Sequence, residues 1–205
     1  LNWSIYLSAL GLTASQIVGI GPQNAYVLRQ GIGRSHVLPI VTICIACDIL
    51  LIGSGVLGLG RLIATQPMLI QVVTWGGAGF IIWLGIKALR NALRPGALTV
   101  QGGVERDRKT AIRTILMVTL LNPYVWLDTV VLIGSLSTVY GESGRVPFLL
   151  GSLTASFCWF AGIGFFAGKL APYFEKPASW RVLDGFIAAV MFFTAGMLVF
   201  NFGLR

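Results

Sequence analysis

Apolar residues fall in six runs along the chain, and most charges fall between them. The runs cover roughly residues 3–28, 37–60, 68–86, 114–139, 146–168 and 185–204. Each is close to the ~20 apolar residues a helix needs to cross a hydrocarbon layer about 30 Å thick. The pattern predicts an all-α integral membrane protein with six transmembrane helices. The first run is too long for the apolar core of a signal peptide and is read as a retained helix. Turn-forming connectors join the runs: Gln30-Gly31-Ile32-Gly33-Arg34, Arg61 to Pro67, Lys87 to Arg113, Tyr140 to Arg145, and Lys169 to Arg181. The longest holds Pro95-Gly96, Gly102-Gly103 and the charged run Glu105 to Lys109.

Composition sharpens this picture. The 205 residues are 56% hydrophobic and only 11% charged, too few polar groups to cover a water-facing surface. The net charge of +8 does not point to nucleic acid, because the basic residues flank apolar runs instead of forming a patch. They mark topology. Arg29 and Arg34 lie in the first connector. Lys87, Arg90, Arg94, Arg106, Arg108, Lys109 and Arg113 lie in the third, and Lys169, Lys176 and Arg181 in the fifth. These twelve fall on one side, against Arg61, Arg145 and Arg205 on the other. Basic residues stay cytoplasmic, so both termini are expected outside and the 91–113 loop inside.

The chain also repeats itself. Gly21-Pro22-Gln23-Asn24-Ala25-Tyr26-Val27-Leu28 in the first run is echoed by Leu121-Asn122-Pro123-Tyr124-Val125-Trp126-Leu127-Asp128 in the fourth. Gly33-Arg34 and Pro39 are echoed by Gly144-Arg145 and Pro147, and Cys47-Asp48 by Cys158-Trp159. Three helices per unit force the copies into opposite orientations, a 3+3 inverted repeat with units 1–90 and 114–205.

Pro22 and Pro123 each remove a backbone donor in mid-span. Such breaks are tolerated where protein or a water-filled cavity satisfies the freed groups, and Asn24 and Asn122 beside them can donate and accept. The bland alternative is a packing kink; two breaks at equivalent positions favour a binding site. Of the seven acidic residues, Asp48 and Asp128 fall well inside runs, where a charge costs at least ~2.5 kcal/mol and is functional by default. No Lys, Arg or His is expected inside a span to neutralise them. They are therefore either protonated or matched by a cation from outside. Both alternatives suit a transporter, with a coupling proton or a cationic substrate. Asn122 and Asp128 are about 240° apart on an ideal helix, so a break must re-aim them or they serve different layers.

Other residues have plainer readings. Cys44, Cys47 and Cys158 are read as apolar thiols; redox use of the Cys44-x-x-Cys47 pair is the alternative. Glycines crowd the runs, including Gly164-x-x-x-Gly168, and suit close helix packing first and a homodimer face second. His36 reads as interfacial. Trp159, at the repeat position of Asp48, presents an aromatic face to a cation. No metal or cofactor motif is present.

These motifs resemble one family. Gly21-Pro22-Gln23-Asn24-Ala25 resembles the signature of the LysE family of amino-acid exporters. Thr119 to Thr129, with Leu121-Asn122-Pro123 and Leu127-Asp128, resembles its fourth-helix motif. Cys47-Asp48, Thr74-Trp75-Gly76-Gly77 and Ser156-Phe157-Cys158-Trp159-Phe160 resemble its second, third and fifth helices. The G-P-Q-N form is similar to the branch exporting lysine and arginine, in contrast to the P-G-P-N form of the homoserine/threonine branch. The 87–113 connector is shorter than in some members, which puts a regulatory role for it in doubt. The resemblance implies export of basic amino acids across the bacterial inner membrane, driven by membrane potential or a proton gradient. The expected site is Gly21, Pro22, Gln23, Asn24, Asp48, Asn122, Pro123, Asp128 and Trp159, with Asp48 and Asp128 as proton-coupling candidates. On this reading Asp48 and Asp128 take the positive groups. Backbone donors at the breaks, with Asn24 or Asn122, take the carboxylate. The competing classes are an exporter of other amino acids, a passive channel, a thiol-redox carrier and an intramembrane aspartyl enzyme.

Overall fold

A computed structural model describes residues 2–18, 21–58, 67–93, 104–174 and 176–200. The 61–66 connector, Gly60, Arg94, Pro95-Gly96, Gly102-Gly103, Glu175 and Arg205 lie outside the described residues. Those described are helical almost throughout. Helix α1 (Trp3–Ile17) is followed after a break by α2 (Pro22–Ile32), α3 (Val37–Val56) and α4 (Pro67–Leu93). Then come α5 (Arg108–Leu120), α6 (Pro123–Thr138), α7 (Gly141–Phe166) with a 3-10 continuation over Ala167–Phe174, and α8 (Pro177–Leu198).

Local chemistry explains the starts. Asn2 caps α1 through Ile5 N–H. Asp107 caps α5, its carboxylate accepting from the Thr110 hydroxyl at 2.6 Å and the Thr110 N–H at 2.7 Å. Those bonds hold its carboxyl below the ordinary value. Pro22, Pro123 and Pro177 each sit at a first helical position, where the missing N–H costs no intrahelical bond.

Three helices among the described residues are long and apolar enough to cross a membrane: Val37–Val56, Gly141–Phe174 and Pro177–Leu198. The pairs α1/α2 and α5/α6, bent by 82° and 59°, each qualify when taken as one broken span. That gives up to five; the sixth expected run, 68–86, lies on the 27-residue α4. The surface carries large apolar side chains such as Leu50, Phe157, Val182 and Phe193. The interior holds paired hydroxyls instead: Thr13 Oγ1 donates to Ser152 Oγ at 2.9 Å and Tyr6 donates to Thr154 Oγ1 at 3.0 Å, tying α1 to α7. An apolar exterior over a hydroxyl-linked interior is what lipid selects.

Helix pairing is regular. α1 runs along α7, α3 along both α7 and α5/α6, and α4 along α8. Small residues set the closest approaches. A Cβ on Gly55 would lie 2.6 Å from the Val130 carbonyl of α6. One on Gly151 would overlap the Tyr6 carbonyl of α1, and one on Gly77 of α4 would overlap the Leu121 carbonyl at the second break. Gly164 presses on Val41 of α3, so this glycine serves packing within the chain.

Two sequence expectations are corrected here. Arg29 does not sit in a connector: α2 continues to Ile32, and Arg29 is buried on it. Asp184 is likewise buried on α8, whose start lies eight residues before the predicted 185. Capping and proline signals at Pro177 outrank the hydropathy run in setting that start.

Candidate functional site

The two proline breaks face a shared space but are built differently. At the first, Gly21 is extended and has no side chain with which to cap α2. Asn24 folds back instead, its Nδ2 donating to the Ile17 carbonyl at the end of α1 (2.8 Å). Its Oδ1 accepts from Trp159 Nε1 of α7 at 3.2 Å. At the second, Asn122 caps its own helix, Oδ1 accepting from the Tyr124 N–H at 3.1 Å. There the Leu120 carbonyl is met by Trp126 Nε1 at 2.7 Å. Both breaks thus leave a carbonyl that a later side chain satisfies, as a buried backbone requires.

A cavity of about 410 Å³ opens between them, within the usual range for small-molecule sites. Gly21, Pro22, Gln23 and Asn24 line it from the first break, Asn122 and Asp128 from the second, and Asp48 from α3. Seven of the nine expected site residues therefore meet in one space. The other two stand behind it: Pro123 starts α6, and Trp159 braces Asn24. Trp159 reaches Asn24 through its indole N–H.

The two aspartates are not equivalent. Asp48 is 3% exposed and accepts from Ser156 Oγ of α7 at 2.5 Å. Asp128 is exposed at the cavity and makes no hydrogen bond or ion pair among the described residues. It lies on a π-helical stretch, Leu127–Ile133, a distortion found often at functional sites. That stretch and the extended Asn122 replace ideal α-helical rotation, which is how Asn122 and Asp128 come to face one cavity. Thr129 Oγ1 takes up the Val125 carbonyl within the π turn at 2.5 Å.

Comparison with known proteins decides the family. Residues 14–201 match the family described as LysE type translocator. The chain belongs to the LysE family. Among relatives of this LysE-family protein is the arginine exporter protein ArgO of Pectobacterium atrosepticum. The two are 39% identical over 190 residues, covering 92% of this chain and 93% of the relative. Putative amino-acid transporters of Mycobacterium bovis and Mycobacterium tuberculosis are each 46% identical over 174 residues, covering 85% of this chain and 86% of theirs. No solved structure matches the chain.

Sequence reasoning missed three polar residues of this LysE-family protein. Ser156, the donor to Asp48, lies three residues before Trp159 on α7. That helical spacing puts both on one face and was a readable signal. Arg29 and Asp184 form a buried ion pair at 2.7 Å that ties α2 to α8. Residues 155 positions apart gave no such signal. Among the described residues no cluster of His, Cys, Asp and Glu could hold a metal ion. Cys44, Cys47 and Cys158 are unpaired thiols, the first two buried.

Proposed function

We propose that this protein exports basic amino acids, arginine and lysine, across the bacterial inner membrane. The observation that carries the reading is the cavity, where an unpartnered carboxylate, Asp128, meets two broken helices. Insertion of an unpaired charge at membrane depth is unfavourable unless function needs it, and a cationic substrate supplies the missing partner. The likeness to an arginine exporter supports arginine as a substrate.

We take the chain to cross the membrane six times, as α1/α2, α3, α4, α5/α6, α7 and α8, in a 3+3 inverted repeat. The helix pairing supports this. Exchanging the first three spans with the last three maps α1 on α7 into α5/α6 on α3, and leaves the pairs α3–α7 and α4–α8 unchanged. The crossings follow the same exchange: Gly55 of α3 meets the backbone of α6, and Gly151 of α7 meets that of α1. The excess of basic residues in the first, third and fifth connectors supports termini on the outer face. A proton couples through Asp48, which is buried and held by Ser156, and Asp128 binds substrate. The two carboxylates make no contact with each other among the described residues, whereas a hydrolytic aspartate dyad shares a proton between its members.

The test is efflux of radiolabelled arginine and lysine from loaded proteoliposomes, with and without an imposed proton gradient. Gradient-dependent efflux of either is expected, and Asp48→Asn and Asp128→Asn should each slow it strongly. Wild-type vesicles that move neither amino acid would overturn the proposal.

A further inference from the structure

Asn24 and Asn122, the two asparagines expected to hold a substrate carboxylate, both have structural work. Asn122 Oδ1 accepts from the Tyr124 N–H and so caps its own helix. Asn24 bridges Ile17 and Trp159. Gln23 is different. It is 9% exposed, lines the cavity, and its Nε2 has no hydrogen-bond partner among the described residues. The Cys44 thiol stands beside it, a weak acceptor at best. A buried amide donor without an oxygen or nitrogen acceptor is costly, and Gln23 lines a space that admits a ligand.

The backbone reinforces it. Gln23 is the second residue of the 11-residue α2. First-turn N–H groups of a helix have no intrahelical acceptor, and the helix dipole puts partial positive charge there. Gly21, the N-cap residue, has no side chain to take them up. The equivalent end of α6 differs, because Asn122 already fills the role of the anion. Repeat symmetry would offer two anion subsites; the side chains leave one. Asp128 supplies the opposite charge from the α6 side of the same cavity.

Resting on the exporter reading above, we infer that the start of α2 and the Gln23 amide form the subsite for the substrate α-carboxylate. Asp128 takes a cationic group. The cavity therefore selects amino acids over amines of the same side chain, and it fixes which end of the substrate faces which break.

The probes are arginine and argininamide, which keeps both cationic groups and lacks the carboxylate. Binding to purified protein in nanodiscs is measured by calorimetry. Wild type should prefer arginine by about tenfold or more, as expected for one charge-assisted hydrogen-bonded subsite. Gln23→Glu places an anion in that subsite and should reverse the preference towards argininamide. Gln23→Leu keeps the α2 N–H groups but loses the amide, so it should move the ratio well below the wild-type value, and it serves if the glutamate variant does not fold. A ratio left at the wild-type value in the folded variant would overturn the inference, as would equal wild-type binding of both probes. Wild type binding neither probe would sink the basic-amino-acid reading, and the inference with it.

Discussion

The two broken helices carry related sequences and end in opposite chemistry. Gly-Pro-Gln-Asn at 21–24 puts the asparagine two residues after the proline; Asn-Pro at 122–123 puts it one residue before. Before the proline, an asparagine sits at the N-cap and takes up a first-turn N–H. After it, the asparagine is inside the helix and its side chain reaches other elements. A shift of a few residues thus leaves one helix start open and closes the other. The tethers differ as well. α2 is pinned to α8 by the Arg29–Asp184 pair, whereas α6 is pinned to α3 and α4 by backbone contacts at Gly55 and Gly77. Charge holds the first break in place and close packing the second.

The largest effect should come from breaking the charged tether. Removing one member of a buried ion pair strands the other, so Arg29→Met or Asp184→Asn should cost about 3–5 kcal/mol. Thermal unfolding in detergent would show it as a marked fall in Tm. The double variant Arg29→Met/Asp184→Leu should regain most of that loss, because replacing both charges with apolar groups removes the stranded partner. Single variants as stable as wild type would mean that the pair does not tether the first break.

Next is an attempt to make the breaks alike. A Cβ on Gly21 meets nothing within 4 Å, so Gly21→Asp should fold and cap α2. Its carboxylate would then occupy the start of α2 in place of the substrate's. Arginine efflux should fall by about tenfold or more, the loss of roughly one charge-assisted hydrogen bond. Asn122→Asp keeps a good cap and should leave efflux far closer to wild type. Equal losses in the two variants would erase the asymmetry argued above.

The smallest effect concerns the cap alone. Asn122→Ala removes one N-cap bond and should lower stability by about 1 kcal/mol. Asn24→Ala opens two contacts, to Ile17 and Trp159, and should cost more. The reverse order of Tm values would show that the second break depends on its cap more than the first depends on its bridge.

Much of this architecture was legible in the chain. Six apolar runs became the helices, because burying backbone in lipid leaves a helix as the available form. The prolines marked both breaks, since a missing N–H shows in any sequence. The cavity-lining residues were legible because an ionisable side chain or a broken helix in an apolar run stands out against its neighbours. The boundary at Pro177 was misread, because hydropathy averages over a window while capping acts at single residues.

By itself, then, the sequence determined the helices, the breaks and seven of the residues that line the cavity. Each is a local property, set by apolar length, proline chemistry or the cost of a charge. Only the tertiary structure decided which polar groups are already spoken for. Asp48 is held by Ser156, Asn24 by Trp159 and Asp184 by Arg29, while Asp128 and Gln23 line the cavity, the carboxylate without a partner and the amide nitrogen without an oxygen or nitrogen acceptor among the described residues. Pairing is a relation between residues more than a hundred positions apart, and the order of residues along a chain does not record it.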